Sequence, residues 1–447
     1  MSGAVSVLLG KGDGTFQAGV SYGSGGSFTY SLAVGDVNGD GKLDLVVTNA
    51  ASNTVGVLLG HGDGTFAPAL TFDSDGAFPD SVAIADVNGD GVPDIVVVDC
   101  GNKFAGCGGG QNGTAAVLLG NGDGTFRTGA SYDAGSGPLS VAVADVNGDG
   151  KPDIAVADCG ANIFCPTSAP GAVSILLGNG DGTFQAAVSY SSGGISALSV
   201  AVADVNGDGK LDLLVANSGS STVGVLLGNG DGTFQSAVAY LAGSIYSPAV
   251  VADVNGDGKL DLLVGDYPGS VAALLGNGDG TFQSQLAYSS GGSGPTSVAI
   301  GDVNGDGQPD VVVANFYSNN VGVLLNNTQA DTTPPVITLS ATPKVLWPPN
   351  GKMVSVTVSG TITDTGSGVN VNSAAYAVKD EYGEIQPKGA ITLGPGGNYS
   401  LTVLLQASRL GTDLDGRRYG ITVRAEDNAG NKGSKTSAVT VPHDQRN

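Results

Sequence analysis

Short apolar segments separated by glycine-rich polar turns dominate the first 327 residues of the chain. In one repeat, such segments occupy residues 140–144, 154–157, 173–177 and 184–190, with Gly, Asn or Asp between them. Period-two alternation and short apolar runs bounded by turn residues predict β-strands and not helices. The pattern therefore predicts an all-β domain whose units contain four strands each.

Two motifs recur with these segments and set the period of the repeat. The sequence D-V-N-G-D-G-x-x-D occurs six times, at intervals of 49 to 59 residues, and G-x-G-D-G-T-F also occurs six times. The first begins at Asp36, Asp86, Asp145, Asp204, Asp253 and Asp302, and the second at Gly10, Gly60, Gly120, Gly178, Gly228 and Gly276. Four strands repeated about every 50 residues are typical of β-propeller blades. A linear β-solenoid is the alternative, but its turns are shorter and rarely contain four strands.

The number of blades does not follow directly from the number of motifs. The sequence begins with the third and fourth strands of a unit, and the last unit ends near Leu325, after its third strand. Six closed blades leave one strand unused, whereas seven blades leave the terminal blade incomplete. Because pairing between the terminal segments would remove exposed strand edges, we expect about seven blades with an incomplete terminal blade, and six as the alternative.

A second domain is predicted after the last repeat. Residues 328–335 are rich in Thr and Pro, which is typical of a linker. Strands are predicted near 336–340, 353–362, 374–379, 389–393, 399–405, 420–425 and 436–441. About seven strands in roughly 110 residues predict an immunoglobulin-like β-sandwich. The expected domains are a propeller at 1–327, a linker at 328–335 and a sandwich at 336–447.

Carboxylate and amide oxygens recur at positions 1, 3, 5 and 9 of each D-x-N-x-D-G-x-x-D loop. Calcium prefers six to eight oxygen ligands, and the Gly at position 6 permits the sharp turn that wraps a chain around an ion. Position 12 of the first loop is Val47, where an EF-hand has Glu, so the predicted site is a strand–loop–strand variant. A metal-free Asx-rich turn and a magnesium site are the alternatives. Six complete copies favour calcium, because carboxylates held close together repel one another without a cation.

We therefore predict about six calcium ions, each held by four side chains and by the backbone carbonyl at position 7 of its loop. The predicted side-chain ligands are Asp36, Asn38, Asp40 and Asp44; Asp86, Asn88, Asp90 and Asp94; Asp145, Asn147, Asp149 and Asp153; Asp204, Asn206, Asp208 and Asp212; Asp253, Asn255, Asp257 and Asp261; and Asp302, Asn304, Asp306 and Asp310. No catalytic residue and no organic cofactor are predicted.

The net charge of the chain supports the same interpretation. The chain carries 41 acidic and 18 basic residues, a formal charge of −23, which argues against nucleic acid or an anionic membrane as a partner. Of these acids, 24 lie in the repeats: three in each of the six loops and one in each of the six G-D-G-T-F turns. Six calcium ions, each adding two positive charges, would bring the formal charge to −11. The aspartates of the turns are expected to form the turns and not to bind metal.

The four cysteines form two local pairs, Cys100 with Cys107 and Cys159 with Cys165. Each pair would close a short loop, which predicts two disulfides in an oxidising compartment. Metal binding is the alternative, but neither spacing has the C-x-x-C form of a zinc site.

The D-x-N-x-D-G-x-x-D loops resemble those of FG-GAP or VCBS repeats, the units of integrin α-subunit propellers and of many bacterial extracellular proteins. The resemblance covers about residues 1–327, and the C-terminal domain resembles bacterial Ig-like modules, especially at residues 425–433 before the last strand. It implies a propeller of about seven blades, with calcium in the loop between the first and second strands of a blade. In this family, some members bind protein ligands and some bind glycans.

We therefore expect a secreted or cell-surface recognition or adhesion protein in which calcium stabilises the blades. Its expected partner is an extracellular protein or glycan, without nucleic acid or membrane insertion, and the chain is expected to be monomeric. No signal-peptide pattern begins this sequence, so we expect the signal to have been removed or to lie outside it. The alternatives are a structural spacer and a polysaccharide-acting enzyme. An enzyme is not expected, because the two histidines, His61 and His443, give a catalytic triad little support.

Overall fold

The computed structural model describes residues 2–101, 112–160, 169–245, 247–327, 332–364 and 367–443. The chain divides into two compact units, one of Met1–Val254 with Lys259–Asn326 and one of Asn255–Gly258 with Asn327–Asn447. The described segments contain strands and three short 3-10 turns, at Ala50–Ser52, Val371–Ser373 and Pro395–Gly397. None of the helical turns in these segments is long and apolar enough to cross a membrane.

The described part of the repeat unit contains seven antiparallel sheets. The first has two strands, β1 (Ser2–Val7) and β2 (Val20–Ser27). Five sheets of four strands follow: β3 (Thr29–Gly35), β4 (Asp44–Asn49), β5 (Thr54–Leu58) and β6 (Leu70–Asp73); β7 (Ala77–Ala85), β8 (Asp94–Gly101), β9 (Thr114–Gly120) and β10 (Phe126–Asp133); β11 (Pro138–Ala144), β12 (Asp153–Asp158), β13 (Pro170–Leu176) and β14 (Val188–Ile195); β15 (Ala197–Ala203), β16 (Asp212–Asn217), β17 (Thr222–Leu226) and β18 (Val238–Leu241); and β19 (Val250–Ala252), β20 (Asp261–Asp266), β21 (Ser270–Leu274) and β22 (Leu286–Ser289). The last has three strands, β23 (Pro295–Gly301), β24 (Asp310–Asn315) and β25 (Asn320–Leu324).

These sheets confirm the predicted all-β, propeller-like fold. In each four-stranded sheet the strands pair in chain order, and the second and third strands are almost entirely buried while the fourth is largely exposed. Apolar side chains of neighbouring sheets share cores; Val46 and Val57 pack in one cluster with Val82 and Ile95 of the next sheet. Burial on both faces explains why the second and third strands are continuous apolar runs instead of alternating ones.

The first and last sheets lie next to each other. The Gly14 N–H donates a hydrogen bond of 3.0 Å to the Val303 carbonyl. Two pairs of consecutive sheets have the equivalent bond, from Gly182 to Val87 at 3.1 Å and from Gly280 to Val205 at 3.3 Å. The terminal sheets therefore contact each other as neighbouring blades do, whereas the number of blades itself stays a prediction.

An aromatic pair connects neighbouring sheets at five places. The Phe of a G-D-G-T-F turn packs edge-on against an aromatic ring on the last strand of the preceding sheet, with ring centroids 5.4–5.6 Å apart. The pairs are Tyr22–Phe66, Phe72–Phe126, Tyr132–Phe184, Tyr190–Phe234 and Tyr240–Phe282. The strand predicted at 184–190 begins only at Val188. Phe184 belongs to the turn, where its N–H donates to the Tyr132 hydroxyl at 3.0 Å.

The C-terminal unit consists of two four-stranded antiparallel sheets around one core. One contains β26 (Val336–Ile337), β27 (Ser340–Thr342), β28 (Met353–Thr363) and β31 (Asn398–Gln406), and the other contains β29 (Ala375–Asp380), β30 (Lys388–Ala390), β32 (Arg417–Glu426) and β33 (Lys432–Val441). Val358 and Tyr399 of the first sheet share a hydrophobic cluster with Ile421 and Val439 of the second. Two sheets around one core agree with a sandwich, and the immunoglobulin-like assignment stays a prediction.

Candidate metal centre

Each D-x-N-x-D-G-x-x-D loop joins the first strand of a sheet to the second. In the first loop, Asp36 directly follows β3 and Asp44 is the first residue of β4. The glycines at positions 4 and 6, Gly39 and Gly41, have φ angles of 73° and 80°. Side chains with a Cβ rarely adopt this left-handed conformation, so these glycines allow the chain to curl tightly between two strands.

The position-1 carboxylate accepts several hydrogen bonds from backbone N–H groups of its own loop. Asp36 Oδ1 accepts hydrogen bonds from the Gly39 N–H at 2.8 Å and the Asp40 N–H at 3.2 Å, and Oδ2 accepts from the Gly41 N–H at 2.7 Å. The amide groups of the loop lower the pKa of Asp36, the Gly41 N–H having the largest effect. These hydrogen bonds therefore favour the ionised form of Asp36.

The predicted ligands at positions 3 and 5 lie in the same tight turn. Asn38 Oδ1 accepts from the Asp40 N–H at 2.9 Å, and Asp40 Oδ1 accepts from the Lys42 N–H at 2.9 Å. The loops that begin at Asp86, Asp145, Asp204 and Asp302 repeat these bonds at positions 1, 3 and 5. In the loop at Asp253, the Asp257 N–H likewise donates to Asn255 Oδ1 at 2.9 Å.

The position-9 aspartates have a structural role that the sequence analysis did not predict. Asp212 is fully buried; its Oδ2 accepts the Val205 N–H at 3.0 Å, and its Oδ1 accepts the Gly228 N–H at 2.8 Å. Each carboxylate thus ties the start of its own loop to the end of the third strand. All six are at most 1% exposed and make the two equivalent bonds, at 2.7–3.1 Å: Asp44, Asp94, Asp153, Asp212, Asp261 and Asp310.

Burial opposes ionisation at several of these position-9 carboxylates. Removal from water raises the pKa of Asp94, Asp153 and Asp212, and the two hydrogen bonds from backbone N–H groups partly offset that effect. The nearby carboxylates at positions 1 and 5 raise it further. A cation in the loop would act in the opposite direction, because it favours the ionised form.

The donor set fits calcium by its chemistry. Positions 1, 5 and 9 offer carboxylate oxygens, and position 3 offers an amide oxygen. A carboxylate has about four lone-pair sites, so a position-9 carboxylate that accepts one backbone N–H at each oxygen still has sites for a cation, and Asp36 Oδ2 accepts from the Gly41 N–H. Within the described ranges, no three His, Cys, Asp or Glu side chains converge closely enough to hold a metal ion by themselves. The predicted ligand set also counts an amide oxygen and a backbone carbonyl, and its occupation by calcium stays a prediction.

The aspartates of the G-D-G-T-F turns form turns, as predicted. In the first turn, Asp13 Oδ1 accepts from both the N–H and the hydroxyl of Thr15, at 2.9 and 2.5 Å. The other five turns have the same pair of bonds. These bonds lower the pKa of all six aspartates, namely Asp13, Asp63, Asp123, Asp181, Asp231 and Asp279.

The predicted disulfides fall partly on residues that the structure does not describe. Cys100 and Cys159 are buried, at the end of β8 and just after β12. Their predicted partners, Cys107 and Cys165, lie outside the described residues. The two pairings therefore stay predictions.

Three buried aspartates outside the motifs were also missed by the sequence analysis. Burial raises the pKa of Asp80 to about 7, that of Asp158 to about 8, and that of Asp99 well above its ordinary value. Asp158 Oδ2 accepts from the Ser174 hydroxyl at 2.6 Å, but its Oδ1 has no partner among the described residues. Three other repeats have Asn at this position, with Nδ2 donating to a backbone carbonyl.

Replacing Asp158 by Asn should therefore stabilise the protein at alkaline pH. The folded carboxyl has the raised pKa, so between about pH 4 and 8 it keeps a proton that the unfolded chain has lost, and stability falls as the pH rises. Asp158→Asn removes the ionisable group and with it this fall in stability. The free energy of unfolding should therefore increase by about 1–3 kcal/mol at pH 8.5 and by much less at pH 5. Urea unfolding at both pH values measures it. The exposed Asp73→Asn is the matched control, and an equal gain at both pH values would exclude titration as the cause.

Comparison with known proteins identifies the repeats. The FG-GAP-like repeat profile matches residues 1–47, 36–97, 104–156, 158–215, 204–264 and 253–313, and the FG-GAP repeat profile matches residues 137–176. No curated protein sequence matches the chain significantly.

Several solved structures are similar to the chain at low sequence identity. One is a functionally unknown protein from Desulfotomaculum acetoxidans, with 12% identity and a TM-score of 0.49, over 72% of this chain and 92% of that one. Another is a protein from Lactobacillus plantarum, with 12% identity and a TM-score of 0.42, over 73% and 96%. A third is BBS1N in its complex with ARL6DN, with 13% identity and a TM-score of 0.38, over 68% and 94%.

Proposed function

Because the chain belongs to the FG-GAP-like repeat family, we propose that it is a calcium-stabilised recognition or adhesion module that acts outside the cell or at its surface. The observation that carries the proposal is the recurrence of one oxygen-rich loop at the same strand junction in six sheets. Repeats of this family are typical of extracellular proteins, where calcium is abundant enough to fill sites of moderate affinity.

Calcium would be held by the side chains at positions 1, 3, 5 and 9 and by the carbonyl at position 7 of each loop. Its contribution is to neutralise the loop carboxylates, which otherwise repel one another. The position-1 carboxylate already accepts hydrogen bonds from the backbone N–H groups of the loop. The position-9 carboxylate already connects the start of the loop to the end of the third strand by two hydrogen bonds. An ion bound by both would fix the first three strands of a sheet relative to one another.

The loop carboxylates attract cations within the chain itself. The Lys42 ammonium lies 3.1 Å from Asp40 Oδ2, and the corresponding distances at Lys151–Asp149 and Lys210–Asp208 are 3.7 and 4.0 Å. These pairs are exposed to solvent, where they add little stability. They indicate a negative potential at position 5, which supports a cation site.

The opposite ends of the strands offer a contact surface for a partner. Tyr267 follows β20, and Phe316 and Tyr317 follow β24, so all three lie at the strand ends away from the loops. These residues are 46–67% exposed, and their rings contact one another, with centroids 5.3 Å apart for Phe316–Tyr317 and 6.4 Å for Tyr267–Tyr317. Exposed aromatic side chains are frequent in binding sites because they bury much area at small entropic cost. A protein or glycan partner is therefore proposed at this surface, without catalysis.

Binding arrays of extracellular proteins and glycans test this function. The calcium-loaded chain should bind at least one class of target, and Tyr317→Ala should weaken that binding about tenfold or more, because a buried aromatic contact often contributes 2 kcal/mol or more. Tyr288→Ala is the matched control, since Tyr288 is also an exposed tyrosine but lies on the fourth strand β22. Failure of the calcium-loaded chain to bind any target would favour a structural spacer.

A further inference from the structure

A cavity of about 710 Å³ lies between the sheet of β7–β10 and the sheet of β11–β14. Strand β10 lines one side, β13 and β14 line the other, and Asp158, the last residue of β12, also lines it. Four serines and three alanines are among the lining residues, so the walls offer hydroxyl groups as well as apolar surface. We call this space the inter-sheet cavity.

One carboxyl oxygen of Asp158 lacks a hydrogen-bond partner among the described residues. The residue is 2% exposed, and its Oδ2 accepts from the Ser174 hydroxyl at 2.6 Å, whereas its Oδ1 accepts from no described residue. In the equivalent side chains of Asn49 and Asn217, Oδ1 accepts from a serine hydroxyl at 2.6 Å. A buried polar group without a partner is rare and indicates an unfilled requirement, such as a bound ion or ligand.

A donor that the equivalent side chains have is missing here because of one residue, Ala134. In the preceding repeat, the Ser74 hydroxyl donates to Asp99, the equivalent of Asp158, at 2.7 Å. Ala134 occupies the place of Ser74: both are fully buried, and the N–H of each donates at 3.1 Å to the carbonyl of the residue just before the third strand of its sheet. The backbone hydrogen bond is therefore the same in both repeats, and only the hydroxyl that would bond the buried carboxyl is absent.

A second carboxylate, Asp133, lines the cavity at the end of β10. Its Oδ1 accepts from the Gly135 N–H at 3.0 Å and its Oδ2 accepts from Asn112 Nδ2 at 2.8 Å, so each oxygen keeps a lone-pair site. Burial raises the pKa of Asp158, and the charge of Asp133 raises it further, so the two carboxyl groups interact. None of the described lining residues is Lys, Arg or His, so no basic side chain of the cavity wall balances these two acids.

We propose that the inter-sheet cavity binds a primary ammonium group on an alkyl chain, such as a lysine side chain or a polyamine. An ammonium offers three donors and one positive charge, which match Asp133, Asp158 and the serine hydroxyls, and the alanines suit the alkyl chain. A bare metal ion would leave that apolar part of the wall without a partner. Asp133 and Asp158 end their strands, whereas the D-x-N-x-D-G-x-x-D loops precede the second strands, so the proposal does not depend on calcium.

Isothermal titration calorimetry of the full chain with two amines tests the proposal. The probes are cadaverine, a free diamine, and Nα-acetyl-lysine amide, which mimics a lysine of a polypeptide. With excess calcium at pH 8.5, the solution is above the pKa of Asp158, about 8, and below that of the amines, about 10.4. We expect saturable binding of at least one amine, and the tighter one identifies the source of the ammonium group.

The matched control ligand is pentane-1,5-diol, which has the chain of cadaverine with neutral hydroxyl groups in place of the ammonium groups. Because it lacks the charge that the two carboxylates attract, it should bind at least about tenfold more weakly than cadaverine. Equal binding of the diol, or binding of neither amine, would overturn the proposal.

Asp158→Asn should weaken amine binding about tenfold or more, because it removes a negative charge from the cavity wall. The variant should fold, since Asn217 occupies the equivalent position in another repeat. Asp266→Asn is the matched control: Asp266 has the same repeat position, but its two oxygens accept from the Ser244 N–H and the Ser270 hydroxyl at 2.8 and 2.9 Å. It should leave amine binding unchanged. Undiminished binding by Asp158→Asn would overturn the proposal.

Asp133→Asn gives a second test, at an exposed residue. It should also weaken amine binding about tenfold, and its exposure means that the fold should persist, which circular dichroism would verify. Asp73→Asn is its matched control, because Asp73 ends β6 as Asp133 ends β10 and likewise accepts the N–H of the residue two positions later, at 2.8 Å. Equal weakening by both variants would assign the effect to general surface charge and so overturn the proposal.

Discussion

Removing calcium should lower the melting temperature of the repeat unit by about 15 °C or more. A site loaded at 100 times its dissociation constant stabilises the folded state by about 2.7 kcal/mol, and six loops are proposed to bind. Removal also leaves the loop carboxylates to repel one another. Thermal unfolding followed by far-ultraviolet circular dichroism, with excess calcium and then with EGTA, measures the change.

The C-terminal unit supplies an internal control for this experiment. The one tryptophan of the chain, Trp347, lies in that unit, so its fluorescence reports the melting of the sandwich separately from that of the repeats. The fluorescence transition should stay in place when EGTA shifts the circular dichroism transition. Equal shifts of both would indicate a general effect of the chelator, and an unchanged melt of the repeats would contradict a stabilising role for calcium.

Asp212→Ala should destabilise the repeat unit by about 3–5 kcal/mol even without calcium. The side chain is fully buried and accepts the Val205 and Gly228 N–H groups, so its loss leaves two buried donors without acceptors. An unpaired buried polar group costs about 1–3 kcal/mol, and the cavity adds to that. Urea unfolding in EGTA measures the effect.

Asp208→Ala is the matched control in the same loop. Asp208 lies at position 5; its Oδ1 accepts a hydrogen bond from the Lys210 N–H at 2.9 Å, and its Oδ2 lies 4.0 Å from the Lys210 ammonium. In EGTA this variant should lose less than about 1 kcal/mol, since its partners remain accessible to water. With calcium present it should lose more, because one ligand is gone. Equal losses for Asp208→Ala and Asp212→Ala in EGTA would contradict the structural role of position 9.

The repeats and their main strands could be predicted from the sequence because local rules determine them. The motif that begins at Asp36 places a tight loop between two apolar runs, and the structure has that loop between β3 and β4. The turn role of Asp13 was also predictable, because Asp-Gly sequences favour tight turns. Both features depend on residues close together in the chain.

The features that were not predicted depend on contacts between distant segments. The position-9 carboxylate of Asp212 accepts an amide 16 residues away, at Gly228. Phe184 packs edge-on against Tyr132, 52 residues earlier, and its N–H donates to the Tyr132 hydroxyl. A local pattern of apolar and polar residues carries none of this information.

Calcium titration of the metal-free chain by isothermal calorimetry, with the metal content of the saturated protein measured independently, tests the central claim most directly. We expect about six calcium ions per chain and about five for Asp208→Ala. A chain that binds no calcium, or one that binds six ions in both forms, would contradict the assignment of calcium to the D-x-N-x-D-G-x-x-D loops.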